Sequence, residues 1–147
     1  GTGDVQLSMI QSVLVDGSII VSTPQDVALL DAIKGFNMFT QVKTPVIGMV
    51  ENMSSFICTE CGAKHSIFGE NGVKEEVEKL ETNLLGQVPL DIKVRKGSDE
   101  GKPYMAFNFD EGDEISKSYM AIAKNVDKIL FDSKKDKKGF FGKLFGK

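Results

Sequence analysis

Three short apolar runs separated by amphipathic segments constrain this chain more than any other feature. Ser18-Ile-Ile-Val-Ser22 is β-branched and entered through an Asp16-Gly17 turn. Pro45-Val-Ile-Gly-Met-Val50 and Leu84-Leu-Gly-Gln-Val88 repeat the theme, the last one ended by Pro89. Each has the length and composition of a buried strand. Between and after them lie segments with helical spacing. The first opens at Thr23-Pro24, with Thr as N-cap and Pro at the first helical position, and carries Val27, Leu30, Ile33, Phe36, Met38 and Phe39. A charged helix from Val73 to Leu80 puts Val73, Val77 and Leu80 on one face. A longer helix from about Asp113 to Phe131 carries the stripe Ile115, Tyr119, Ile122, Val126 and Ile129 or Leu130. Strands alternating with helices predict an α/β fold with a parallel sheet and helical layers.

Composition narrows the function classes. The chain has 147 residues, 41% of them hydrophobic, enough for one domain with a core. A net charge of −3 gives no footprint for nucleic acid. No run of about 18 apolar residues is present to cross a membrane. Gly1-Thr-Gly-Asp-Val5 does not have the basic and apolar regions of a signal peptide. The organisation predicted is residues 1–131 as domain and 132–147 as tail. Ser133-Lys-Lys-Asp-Lys-Lys138 reads as a solvated, disordered charge run. In Gly139-Phe-Phe-Gly-Lys-Leu-Phe-Gly-Lys147, the side chains Phe140, Phe141, Leu144 and Phe145 share a helical face flanked by lysines. That pattern suits weak contact with a membrane interface.

The two cysteines of the chain are Cys58 and Cys61, at C-x-x-C spacing in a loop. Without an export signal, that spacing suggests a reducing compartment and metal or redox use. Two thiolates supply half of a closed tetrahedral or cluster site. His65, the only histidine, and another group complete it, or a second copy of the chain does. A redox dithiol prefers a helix start beside a strand, whereas this pair sits in a loop with glycine.

Several motifs together resemble one family. Gly1-Thr-Gly-Asp4 resembles the end of a switch II segment. Ser22-Thr-Pro-Gln-Asp-Val-Ala-Leu29, with Asp31 and Lys34-Gly35, resembles the strand-to-helix block that follows it. Glu51-Asn-Met-Ser54, Cys58-x-x-Cys61-Gly62 and Ile67-Phe-Gly69 are similar to a cysteine loop in order and spacing. Leu85-Gly-Gln-Val-Pro-Leu90, Val94-Arg95, Gly97-Ser-Asp99 and Gly101-Lys-Pro103 follow in the matching order. The family is that of the Mrp/ApbC-type P-loop ATPases, iron–sulfur cluster carriers related to MinD and ParA, and the likeness covers residues 1 to about 130.

The resemblance implies a doubly wound parallel sheet of the SIMIBI P-loop class and a function in assembling and delivering iron–sulfur clusters. It implies a homodimer in which Cys58 and Cys61 of each copy hold a bridging [4Fe–4S] cluster, destined for apo client proteins. Asn52, with Pro89, Leu90 and Asp91, would contact adenine. Gly1, Gly3 and Asp4 would sense the nucleotide's γ-phosphate in a complete domain that binds ATP and Mg²⁺. The implied location is cytoplasmic, with peripheral membrane contact through the tail. The family's Walker A and switch I would lie upstream of Gly1, and no G-x-x-x-x-G-K-[ST] occurs here. Gly97-Ser-Asp-Glu-Gly-Lys102 and Gly142-Lys-Leu-Phe-Gly-Lys147 are each one residue too short between their glycines. The chain therefore corresponds to a C-terminal half that would not hydrolyse ATP alone, and its strand Ser18–Ser22 would expose an apolar sheet edge. Two rival classes are a MinD/ParA-like membrane-positioning ATPase, favoured by the tail, and a non-catalytic zinc-binding scaffold.

Overall fold

A computed structural model describes the backbone of residues 4–144 and the side chains of residues 4–131. Gly1 and Gly3, and the side chains of Phe140, Phe141, Leu144 and Phe145, lie outside the described residues. The order is α1 (Asp4–Ser12), β1 (Ser18–Ser22), α2 (Asp26–Gln41), β2 (Val46–Ile57), β3 (Lys64–His65), α3 (Gly72–Lys79), β4 (Leu84–Leu90), α4 (Ile92–Asp99), α5 (Tyr104–Phe107) and α6 (Glu114–Leu144).

The sheet is built around β2. β1 runs parallel to it, with Ser18 opposite Val46 and Ser22 opposite Glu51. β4 runs parallel on the other side, with Met49 opposite Leu84 and Asn52 opposite Val88. Phe56 pairs with Leu90 on one flank and with His65 on the other, so the antiparallel β3 lies on the β1 side, past the C-terminal end of β1. One face packs Ile20 and Met49 against Leu29 and Ala32 of α2 and Val73 and Val77 of α3. The other packs Ile47, Val50, Leu85 and Val88 against Ile122, Val126, Ile129 and Leu130 of α6. This is the α/β arrangement with helices on both faces that alternating strands and helices dictate.

Glycines let the layers close. A Cβ on Gly86 of β4 would fall 2.5 Å from Ile122 Cγ1, and one on Gly72 would fall 2.5 Å from the Pro24 carbonyl oxygen. The buried Pro24 thus belongs to the turn that abuts the start of α3, and α2 begins at Asp26 rather than at Thr23-Pro24. Its N-cap is Gln25, which makes no capping side-chain bond. The core face of α2 is Leu29, Ala32, Phe36 and Phe39. Val27 and Leu30, expected on that face, are 80% and 60% exposed.

Other elements depart from the sequence expectation. β2 continues to Ile57, and β4 runs through Pro89 to Leu90. Among the described residues β4 pairs only with β2, so the N–H that proline lacks is not needed for a second ladder. α4 and α5 occupy what reads as a long polar connection, and α1 starts at Asp4. α6 continues through the Lys-rich run expected to be disordered, as far as Leu144; lysine is a good helix former. The second edge of β1 is unpaired among the described residues, and Val21 beside it is 60% exposed, as expected of a bare apolar edge.

Candidate functional site

The C-terminal ends of β1, β2 and β4 converge where ligands of open parallel sheets bind. β2 passes this edge and turns back as a hairpin, and the two cysteines form its tip. The Cys58 N–H donates to the Ala63 carbonyl at 2.9 Å, and the Gly62 N–H donates to the Cys58 carbonyl at 2.9 Å. Gly62 has φ +73°, a left-handed geometry that glycine adopts without strain. The turn therefore needs Gly directly after Cys61.

Both thiols are free, Cys58 half-buried and Cys61 exposed. The backbone N–H of Cys61, then that of Glu60, then the Cys61 thiol hydrogen-bond the Cys58 sulfur and hold its pKa below the ordinary thiol value. The turn thus favours the thiolate, the form that binds metal. His65 is exposed and sits opposite Phe56 in the hairpin. No group of three or more His, Cys, Asp or Glu side chains is placed to hold a metal ion among the described residues. Among the described residues the hairpin brings two sulfurs to one place and no third ligand.

Beneath the hairpin lies Glu51, to which the sequence motifs assign no chemistry. Glu51 is 1% exposed. Its Oε2 accepts the Val73 N–H at 3.1 Å and its Oε1 accepts from Gln87 Nε2 at 2.7 Å. One carboxyl group thereby ties β2 to the start of α3 and to β4. It also lines a polar cavity of about 170 Å³ with Ser54, Ser55, Lys64 and Ser66. The available signal was an acid directly after the apolar run ending at Val50.

The residues expected to contact nucleotide separate into two places. Asn52 lies within β2 rather than at its end, because the strand resumes past a left-handed kink at Met53, φ 56°. Its Oδ1 accepts the Met53 N–H at 3.0 Å, which leaves its amide N–H groups to donate. Asn52 lines a cavity of about 490 Å³ along β1 with Ser22, Thr23, Asp31 and Gln6. Pro89, Leu90 and Asp91 do not line that cavity. Pro89 is buried, Leu90 is half-buried, and Asp91 caps α4 by accepting the Lys93 N–H at 2.6 Å. Asp4 is the first residue of α1, where its charge suits the helix N-terminus.

Residues 1–127 match the ParA-class family of NUBPL iron-transfer P-loop NTPases. The chain belongs to that family. The iron–sulfur cluster transfer protein NUBPL of Mus musculus is 47% identical over 133 residues, which are 90% of this chain and 41% of the mouse protein. An iron–sulfur cluster carrier protein of Salmonella typhimurium is 52% identical over 131 residues, 89% of this chain and 35% of the relative. The chain thus spans less than half the length of these NUBPL-type relatives. Among solved structures, a nucleotide-binding protein of Archaeoglobus fulgidus in complex with ADP is 34% identical with a TM-score of 0.63, covering 81% of this chain and 46% of the other. The septum site-determining protein MinD of Pyrococcus horikoshii, complexed with Mg-ADP, has a TM-score of 0.65 at 19% identity, over 88% and 47% of the two chains. At that identity the likeness to MinD is one of fold. The NUBPL-type family thus has the P-loop NTPase architecture that the motifs imply.

Proposed function

We propose that this chain is the cluster-holding part of an iron–sulfur carrier, whose cargo is a [4Fe–4S] cluster shared between two copies. Cys58 and Cys61 of each copy supply the four thiolates that such a cluster takes. The observation that carries this reading is the pair of free thiols at the tip of a hairpin, with no third ligand beside them among the described residues. A site that each copy half completes is exposed and readily given up, which suits delivery to apo iron–sulfur client proteins. The thiolate-favouring turn lowers the pH at which Cys58 can engage iron.

In the complete domain, ATP with Mg²⁺ binds the C-terminal edge of the sheet. Asn52 donates from its amide to adenine; Pro89, Leu90 and Asp91, which stand outside the Asn52 cavity, would have to close on the base from the β4 side. Gly1, Gly3 and Asp4 relay the state of the γ-phosphate, and hydrolysis reshapes the dimer to open the cluster site. The ADP complex of the Archaeoglobus relative supports nucleotide binding in this architecture.

Anaerobic reconstitution with iron and sulfide, followed by absorption spectroscopy and iron and sulfide analysis, tests the cluster assignment. The chain gains the broad visible absorption of a cluster, and Cys58→Ala removes it. Retention of stoichiometric zinc, with no iron or sulfide bound, would establish a zinc site and overturn the carrier reading.

A further inference from the structure

The cysteine hairpin belongs to a longer excursion of the chain, and Glu51 closes that excursion at its base. β2 carries the chain outward from Glu51 to Cys58, and β3 returns it through residues 66–71 to the start of α3. Val73, the second residue of α3, donates its N–H to Glu51 Oε2 at 3.1 Å, from 22 residues further along the sequence. Both cysteines lie inside that span. The other oxygen, Oε1, accepts from Gln87 Nε2 at 2.7 Å, which fixes the rotation of the carboxyl group against β4.

Two features give this bond more weight than an ordinary turn contact. α3 has no cap of its own, because Asn71 at its N-cap is left-handed, φ 58°, and its side chain makes no capping bond. A cap side chain normally takes the N–H of the second or third helical residue, and Glu51 does so here from a neighbouring strand. The root of the excursion is also not close-packed. The polar cavity of about 170 Å³ lies within it, between Ser54 and Ser55 on the outgoing arm and Ser66 and Asn71 on the returning one. A void supplies no partner atoms to hold its walls in place. The outgoing arm has anchors besides, since Ser54 Oγ donates to the Val88 carbonyl at 3.2 Å and Phe56 pairs with Leu90. The returning arm pairs with β2 at Lys64 and His65. Its next hydrogen bond to the sheet, among the described residues, is the one from Val73 to Glu51.

We infer that Glu51 is a positioning residue for the cluster site: by holding the returning arm to the sheet, it sets the orientation in which the hairpin presents Cys58 and Cys61 to a second copy of the chain. The inference rests on the carrier reading for what the thiols face, and on the two hydrogen bonds of Glu51 for the hold itself. A cluster shared between copies needs both thiol pairs aimed across one interface. A hairpin free to swing therefore holds it less tightly, although no ligand has been lost. Groups that stand behind metal ligands act in this way.

The test follows the visible absorption of the reconstituted full chain as a chelator competes for its iron. Glu51→Leu removes the acceptor for Val73. Glu51→Gln keeps it: the new amide oxygen takes the Val73 N–H, and the exposed Gln87 amide turns its own oxygen toward the new NH₂. Gly86→Val, which crowds Ile122 on the α6 face of the sheet, controls for lost stability. Glu51→Leu gives up the cluster about tenfold faster or more, while Glu51→Gln and Gly86→Val decay as the unaltered chain does. Gln87→Ala, at an exposed position that folding tolerates, accelerates the decay in the same direction and stands in if Glu51→Leu does not fold. Decay that neither Glu51→Leu nor Gln87→Ala alters overturns the inference, and so does equal acceleration by Gly86→Val. Hydrogen exchange of the cluster-free chain supplies a readout that does not depend on the carrier reading. The Cys58 amide, which donates to Ala63, exchanges faster in Glu51→Leu and Gln87→Ala but not in Glu51→Gln or Gly86→Val. If the unaltered chain takes up no cluster, the carrier reading falls and exchange alone decides the hold: the stated pattern keeps it, and equal exchange in all variants overturns it.

Discussion

At the scale of single residues, polar groups fix the geometry around the hairpin. Glu51 was legible as an acid after an apolar strand, but its partners Val73 and Gln87 are distant in sequence, so its role emerges only in three dimensions. In a Glu51→Leu variant the Val73 N–H is left without an acceptor in the interior, while the exposed Gln87 side chain turns to water. The loss of stability is about 1–3 kcal/mol, read as a lowered urea midpoint with an unchanged slope. Asp113 presents a pH-dependent case. Burial opposes its ionisation, but hydrogen bonds from the Ser116 N–H, the Ser116 hydroxyl and the Tyr104 hydroxyl prevail and hold its pKa below 3.8. A depressed carboxyl pKa stabilises the fold above the unfolded value, and that stability is lost as pH falls through the folded one. Asp113→Ala therefore costs about 1 kcal/mol at neutral pH through loss of the α6 cap. The difference from the unaltered chain shrinks once the pH drops well below 3.8, and paired urea titrations at the two pH values check it.

At the scale of elements, the strands and the amphipathic helices were legible because their periodicity is strong. α3 and α6 pack most of the stripes the sequence marks, Val73 and Val77 for one and the partly buried Ile122, Val126, Ile129 and Leu130 for the other, while Tyr119 of the α6 stripe is exposed. α4 escaped notice because Ile92–Asp99 carries only two apolar side chains and a glycine. Its start signal, Asp91 as an N-cap, stands directly after a strand that reads as ending at Pro89. α2 begins two residues later than Thr23-Pro24 predicts, and Val27 and Leu30 face solvent, because Pro24 serves the packing of Gly72 instead of opening the helix. The junction of β4 with α6 rests on Gly86. Gly86→Val destabilises by about 1–3 kcal/mol through overpacking against Ile122. Adding Ile122→Ala recovers part of that loss, so a double-mutant cycle by denaturant unfolding gives a coupling of opposite sign to the Gly86→Val penalty.

At the scale of the whole molecule, the cysteine spacing and the family motifs made the thiol pair legible, and with it the proposed half-site. What completes it was not, because nothing in one chain encodes the distance to another copy. Among the described residues His65 forms no group of three potential ligands with the two cysteines, which supports the shared-cluster proposal over a zinc site. The bare β1 edge and the coverage of less than half of each relative mean that cluster holding is best tested on this chain directly. Native mass spectrometry of the anaerobically reconstituted chain is that measurement. Sharing predicts one mass equal to two chains plus a single [4Fe–4S] cluster, with no cluster on the monomer and none on a Cys58→Ala, Cys61→Ala chain. A monomer carrying metal of its own would contradict it.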